Sequence, residues 1–419
     1  MKVLIKQARI ISPNAPLNGQ TKDILIDNGI IQTISDSITG PADQVIEQQG
    51  LCASIGWMDI FSNFGDPGFE YKETLETGAG AAAAGGFTDV MVLPNTNPVV
   101  HNKPQVEYIV QKSKGAAVNI HPVGAVTKNT EGKDLAEMYD MHQSGAVAFG
   151  DGTNPIQSAG LLLKALQYVK SFDGTVIQVP DDKSIGANGL INEGIISTQL
   201  GLPGKPAIAE ELLVARDIKL ARYAESKLHF TGISSAKSLE YIKRAKESGI
   251  NITCSVTPYH LFFTDTDMKD YDTNLKVNPP LRTDKDRQAL LQAVADGTVD
   301  CIASHHFPQN WDNKTCEFEY AKEGMIGLET LFGVLGASAA LDIERSVDML
   351  SIAPRKIFGL PIPEIKEGAA ACITLFNADE EYIFDASMIR SRSKNSAFIG
   401  KKLKGKVIGI VNKDKVELN

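Results

Sequence analysis

The chain has 419 residues, 43% hydrophobic and 22% charged, enough for one large barrel with an accessory domain or for two to three ordinary domains. Its 42 basic against 51 acidic residues leave a net charge of −9 without a long basic block, which argues against a nucleic-acid backbone as partner. No run of about 18 apolar residues marks a membrane span, residues 1–9 are interrupted by Lys6 and lack a cleavage pattern, and five scattered cysteines form no C-x-x-C pair, so a reduced, cytoplasmic protein is expected. In chain order, the first fifty residues alternate in short apolar runs, and Asn28-Gly29 between two β-rich runs predicts a hairpin over 23–32.

From about residue 53 to 363 the pattern changes. Predicted strands at 89–93, 119–126, 146–149, 175–179, 227–231, 252–256 and 300–303 alternate with helices at 104–114, 159–170, 207–226, 236–248, 283–295 and 327–340. The Gly/Ala-rich stretch 78–86 reads as a closely packed helix, and 307–324, which has little periodicity, as a long loop of the kind that often carries function. Strands separated by helices over this length predict a parallel sheet; the number of units favours a closed (β/α)8 barrel of the TIM type, with a doubly wound open sheet as the alternative. Short β runs return at 371–376, 382–385 and 405–411. A β-rich start (1–52) and end (364–419) around the barrel (53–363) are expected to build one small β-sandwich together.

Several ordered motifs carry a resemblance to a known family. They are Pro67-Gly68-Phe69-Glu70-Tyr71-Lys72-Glu73-Thr74, Pro94-Asn95-Thr96-Asn97-Pro98, Leu200-Gly201-Leu202-Pro203-Gly204, Thr257-Pro258-Tyr259-His260-Leu261, Asn278-Pro279-Pro280-Leu281-Arg282, Gly327-Leu328-Glu329-Thr330 and Arg392-Ser393-Lys394-Asn395-Ser396. Together they resemble dihydroorotase of the amidohydrolase superfamily over nearly the whole chain. The resemblance implies a (β/α)8 barrel of the metal-dependent amidohydrolase type, and closing or opening of the cyclic amide of dihydroorotate in pyrimidine synthesis. Such chemistry needs a metal-bound hydroxide, a Lewis acid on the carbonyl and a carboxylate to move the proton.

The residues at the implied site positions do not match that chemistry. The family's His-x-His falls on Phe61 and Asn63, two apart on a strand and so expected on the same face of the barrel mouth. Its later ligand histidines fall on Val179 and Gly232, and its catalytic Asp on His305. A phenyl ring binds no zinc and an amide replaces imidazole poorly. Asp151 aligns with a family metal-bridging carboxylate and reads equally as a turn Asp before Gly152. Asn95 and Asn278 align with substrate contacts and read equally as turn residues beside prolines, while the family's arginine and distal histidine become Gly65 and Gln309.

No cofactor is therefore expected, with zinc only if a site is rebuilt around Asp151, His260 and His305. His229, three residues before Gly232, is expected on the opposite strand face, packed against a helix, and an Asp151–His305 contact is expected to replace the metal bridge. Three functions stay open: an inactive family member retained as a structural or regulatory partner of aspartate transcarbamoylase, itself a homo-oligomer; an active cyclic-amide hydrolase with a rebuilt metal site; and a metal-free sensor holding dihydroorotate or carbamoyl aspartate through Asn95 and Asn278.

Overall fold

The computed structural model describes residues 1–13, 15–338 and 341–419. Eight parallel strands form the central sheet in sequence order: Trp57–Ser62, Phe87–Val92, Asn119–Gly124, Ala148–Phe149, Thr175–Gln178, Lys227–Phe230, Ile252–Val256 and Cys301–Ile302. A parallel bridge between Ser62 and His306 returns the eighth strand to the first and closes the barrel. The closure is held by Asp59, fully buried on the first strand, whose carboxylate accepts from the Ser304 N–H at 2.7 Å and the Ser62 hydroxyl at 2.6 Å.

Side-chain alternation divides each strand between two cores. Outward residues such as Val90, Val176, Leu228 and Val256 join the helices in one buried cluster, and inward ones such as Met58, Ile60, Met91, Val123 and Ile177 fill the barrel. Phe358, last residue of the helix Ile343–Phe358, belongs to the inner cluster and plugs the barrel floor. The inward residues of the sixth and seventh strands break this apolar lining, because His229, Thr253 and Ser255 share hydrogen bonds there.

Both termini build a second, mixed sheet, in the order Lys415–Leu418, Lys402–Asn412, Cys372–Ile383, Cys52–Ile55, Lys2–Ile11, Thr21–Asp27 and Ile30–Ser35, with Gln44–Ile46 beside Lys2–Ile11. Its own core contains Ile5, Ile10, Ile24, Ala53, Ile373 and Val411. The hairpin turn has φ +48° at Asn28 and +78° at Gly29, the positive pair that a two-residue turn between right-twisted strands requires. The chain crosses from this sheet to the barrel at Gly56, where a Cβ would meet Thr88 Oγ1 at 2.2 Å.

Some elements differ from expectation. The helix expected over 327–340 runs Leu331–Ser338; its first residues are held otherwise, with the Gly327 N–H donating to His306 Nδ1 at 3.2 Å, and positions 339 and 340 lie outside the described residues. The runs at 371–376 and 382–385 merge into Cys372–Ile383, whose register shifts between Asn377 and Glu381. Among the described residues no helix is long and apolar enough to cross a membrane.

Candidate functional site

A cavity of about 450 Å³ opens at the carboxyl ends of the barrel strands. Its walls include Phe61 from the first strand, Val179 just past the fifth, Asn278 and Tyr259 from the segments after the seventh, and His305 and Phe307 after the eighth. His305 has φ +43°, a left-handed conformation unusual for a residue with a side chain. Its ring stacks on Phe61, centroids 4.3 Å apart and planes 26° apart, and its Nε2 meets Thr231 Oγ1 at 2.8 Å. Burial holds the imidazole down to about 3, so the ring is neutral.

Four of the site positions read from sequence thus converge: Phe61, Val179, Asn278 and His305 line one cavity. Gly232 adjoins it, since a Cβ there would lie 2.6 Å from His305 Cε1. Asn63 does not line the cavity; the strand ends at Ser62, so the two-residue alternation expected from Phe61 to Asn63 stops there, and the Asn63 N–H donates to the His306 carbonyl at 2.8 Å. Asn95 is a clasp between loops. Its Nδ2 donates to the Asp151 carbonyl at 3.1 Å and its Oδ1 accepts from the Thr153 N–H at 3.1 Å. At Gly65 the neighbouring Phe69 carbonyl would lie 2.6 Å from a Cβ, and Gln309 is engaged by Asn313 and the Glu323 carbonyl.

Three expectations are corrected. The Asp151–His305 contact does not form: Asp151 accepts from the Thr127 N–H at 2.9 Å and from the Thr127 hydroxyl, while His305 turns to Thr231. His260 is not a recruit for a metal, because its Nδ1 meets Thr257 Oγ1 at 2.8 Å and its Nε2 donates to the Pro280 carbonyl at 3.2 Å. His229 faces the barrel interior, not the outer helices; the sixth strand ends at Phe230 and Gly232 has φ +71°, so counting alternate faces across that end gave the wrong side. Its ring packs from inside the barrel floor on Phe358, the last residue of the helix Ile343–Phe358, at 5.6 Å.

These donors do not fit a metal. Phenyl, isopropyl and hydrogen stand at three of the positions where the resemblance implies ligands, and the nearby Asp and His groups are hydrogen-bonded to Thr127, Thr231 and Thr257. Among the described residues no group of three or more His, Cys, Asp or Glu side chains is placed to hold an ion.

Sequence reading missed the charged part of the site. Lys205 Nζ lies 2.6 Å from Asp181 Oδ2 and 2.8 Å from Asn278 Oδ1, and both charged side chains are about nine-tenths buried. The two residues are 24 apart in sequence, and only the fold joins them. A second buried cluster, also missed, sits behind the mouth: Glu73 accepts from Ser391, Thr77 and the Arg392 N–H, with His306 Nε2 at 3.5 Å. It fastens the first barrel loop to the C-terminal segment.

A family model described as "Dihydro-orotase-like" matches residues 54–238. The dihydroorotase of Syntrophus aciditrophicus is 40% identical over 414 residues, covering 97% of each chain. That of Geotalea daltonii is 40% identical over 410 residues, 97% of this chain and 96% of its own. The chain belongs to the dihydroorotase family. Among solved structures, the L-hydantoinase of Arthrobacter aurescens superposes with a TM-score of 0.83 at 22% identity, covering 100% of this chain and 97% of that one, a likeness of fold.

In this dihydroorotase-family chain the buried Asp151 carboxylate leaves a signature in stability. Burial pushes Asp151 up to about 6, against the pull of its Thr127 hydrogen bonds. The folded state therefore binds this proton more tightly than the unfolded chain. The contribution is complete below about pH 4 and is lost as pH rises to about 6, a change of about 3 kcal/mol. Asp151→Asn is expected to remove that part of the slope, read as the difference between the two proteins in urea unfolding across this window. Parallel profiles would show that the carboxyl holds its proton no more tightly in the folded protein than in the unfolded chain.

Proposed function

We propose that this chain has lost metal-dependent ring hydrolysis and serves as a structural or regulatory subunit, with aspartate transcarbamoylase as the partner to test first. One observation carries the loss of activity: the Phe61 and His305 rings stack on each other at the mouth, beside Val179 and the bare Gly232, where the family resemblance calls for ligands and a base. Hydrolysis of a cyclic amide needs an activated water and a proton-transfer group, and a neutral imidazole already hydrogen-bonded to Thr231 is poorly suited to hold either. The rebuilt-site reading is disfavoured because Asp151, His260 and His305 each have other partners.

The test has two parts. The purified chain, incubated with zinc and then desalted, is expected to retain well below one equivalent by elemental analysis and to turn over neither dihydroorotate nor carbamoyl aspartate. A stoichiometric metal with turnover overturns the reading. Light scattering after size exclusion, with the transcarbamoylase of the same organism, is expected to show a joint species; separate elution of the two proteins overturns the partnership. The same run without the second protein reports whether the chain is a homo-oligomer.

A second reading, a metal-free sensor, is favoured by the ligand-sized cavity and by Asn278 in its wall, though Asn95 is engaged elsewhere. Calorimetry with dihydroorotate and carbamoyl aspartate at millimolar concentration separates the two, since the subunit reading expects no heat.

A further inference from the structure

The interior of the barrel holds a chain of hydrogen bonds that the proposed function does not use. From the mouth inward, His305 Nε2 meets Thr231 Oγ1 at 2.8 Å, Thr231 Oγ1 accepts from Ser255 Oγ at 2.9 Å, and Ser255 Oγ meets His229 Nε2 at 3.1 Å. His229 Nδ1 then meets Thr253 Oγ1 at 2.8 Å. His305 lines the mouth cavity, and Thr253 lines a separate cavity of about 400 Å³ at the opposite end of the barrel. Between these ends, Thr231, Ser255 and His229 are fully buried.

The donors run in one direction. Ser255 gives its only proton to Thr231, and the Thr231 hydroxyl has no other acceptor than His305 Nε2 among the described residues, so it gives its own proton there and a neutral His305 carries its proton on Nδ1. For the same reason His229 donates from Nε2 to Ser255 and accepts from Thr253 at Nδ1. Burial holds His305 and His229 each down to about 3, so neither ring is charged. A lone buried hydroxyl needs one partner, whereas here Thr231, Ser255 and His229 each both give and receive, and reversing one bond forces its neighbours to reverse.

We propose that His305 and His229 are a tautomer-coupled pair, joined through Thr231 and Ser255, so that the hydrogen-bonding state of His305 at the mouth is set together with that of His229 at the foot. In the present state His305 offers an N–H to the mouth cavity, suited to a ligand bearing a carbonyl or carboxylate oxygen; in the reversed state it offers a lone pair, suited to an N–H or O–H donor. The reversal is balanced. His305 gives its Nδ1 proton to water in the mouth and takes one from Thr231. Thr231 is resupplied by Ser255, Ser255 by His229 Nε2, and His229 Nδ1 by Thr253, which takes a proton from water at the foot. The chain carries the same number of protons before and after, with no net charge.

The test uses the full chain with ring-¹⁵N histidine, and long-range proton–nitrogen correlation spectra that distinguish the two neutral tautomers. Assignment comes from His229→Gln and His305→Gln. The wild type is expected to show His229 protonated on Nε2 and His305 on Nδ1. Thr231 makes no hydrogen bond to His229 among the described residues, yet Thr231→Val deprives Ser255 of its acceptor, so Ser255 turns to donate to His229 Nε2 and the His229 proton moves to Nδ1. Thr231→Ser should leave both tautomers as in the wild type. Ser255→Ala reads the coupling from the other end and remains informative if Thr231→Val does not fold: His305, which Ser255 does not contact through any hydrogen bond, is expected to become a mixture. Unchanged His229 in Thr231→Val, or unchanged His305 in Ser255→Ala, overturns the proposal.

Discussion

Lys205→Met is expected to destabilise the protein by about 3–5 kcal/mol, the cost of leaving one member of a buried ion pair without its partner. The lysine stem lies under the segment that contains Gly186 and Gly189; a Cβ at Gly189 would fall 2.5 Å from Lys205 Cβ, so the segment packs directly on it. Methionine keeps that apolar stem and removes only the ammonium. The Asp181 carboxylate, with a side chain 8% exposed, then has no cation at 2.6 Å, and Asn278 Oδ1 loses its donor. Adding Asp181→Asn removes the stranded charge. The double variant is therefore expected to be more stable than Lys205→Met alone, with a coupling energy of at least about 2 kcal/mol. Urea unfolding of the four proteins of this cycle at neutral pH measures it. A loss below about 1 kcal/mol in Lys205→Met would place the pair among solvated surface bridges and deny it a role in holding Asn278.

The parts of this protein that were legible in the sequence are those set by local chemistry. The Asn28-Gly29 turn and the β-branched runs of the barrel strands identify themselves, because a positive φ pair and a buried parallel strand each restrict residue type. The changed residue types at Phe61, Val179 and Gly232 were equally legible, since inability to bind a metal depends on the side chain and not on its direction. What escaped was set by direction or by distant pairing. The face of His229 is not legible from Gly232, because the strand stops at Phe230 and alternation does not extend to the glycine. The partner of Asp151 is not legible, because Thr127 offers both a backbone and a hydroxyl donor and takes the place expected of His305. Lys205 gave no signal, because a lysine and an aspartate 24 residues apart look like two surface charges until the barrel buries them together.

Gly232→His, which puts back a histidine where the family resemblance expects one, should disrupt the mouth without building a metal site. The glycine has φ +71°, where an L-residue costs about 1 kcal/mol. Its missing Cβ would sit 2.6 Å from His305 Cε1 and 3.2 Å from Nε2, with Pro279 Cδ at 3.4 Å behind. His305 must then move, which breaks its Thr231 hydrogen bond and its stack on Phe61, each worth about 1 kcal/mol. With the overpacking itself at about 1–3 kcal/mol, a total loss of about 4–6 kcal/mol is expected for histidine. Gly232→Ala, which adds only the Cβ, should already lose about 2 kcal/mol on the same grounds. In a His305→Ala background the penalty of Gly232→Ala should shrink to the backbone part, because the colliding ring is gone. Urea unfolding of the single and double variants, with zinc content measured on each, separates these contributions. A Gly232→Ala protein as stable as the wild type would mean that His305 yields freely, and that the mouth stands within reach of a restored ligand set. If the penalty is found, the Phe61–His305 stack and the bare Gly232 depend on one another, and a single substitution at Gly232 cannot restore the ligand set.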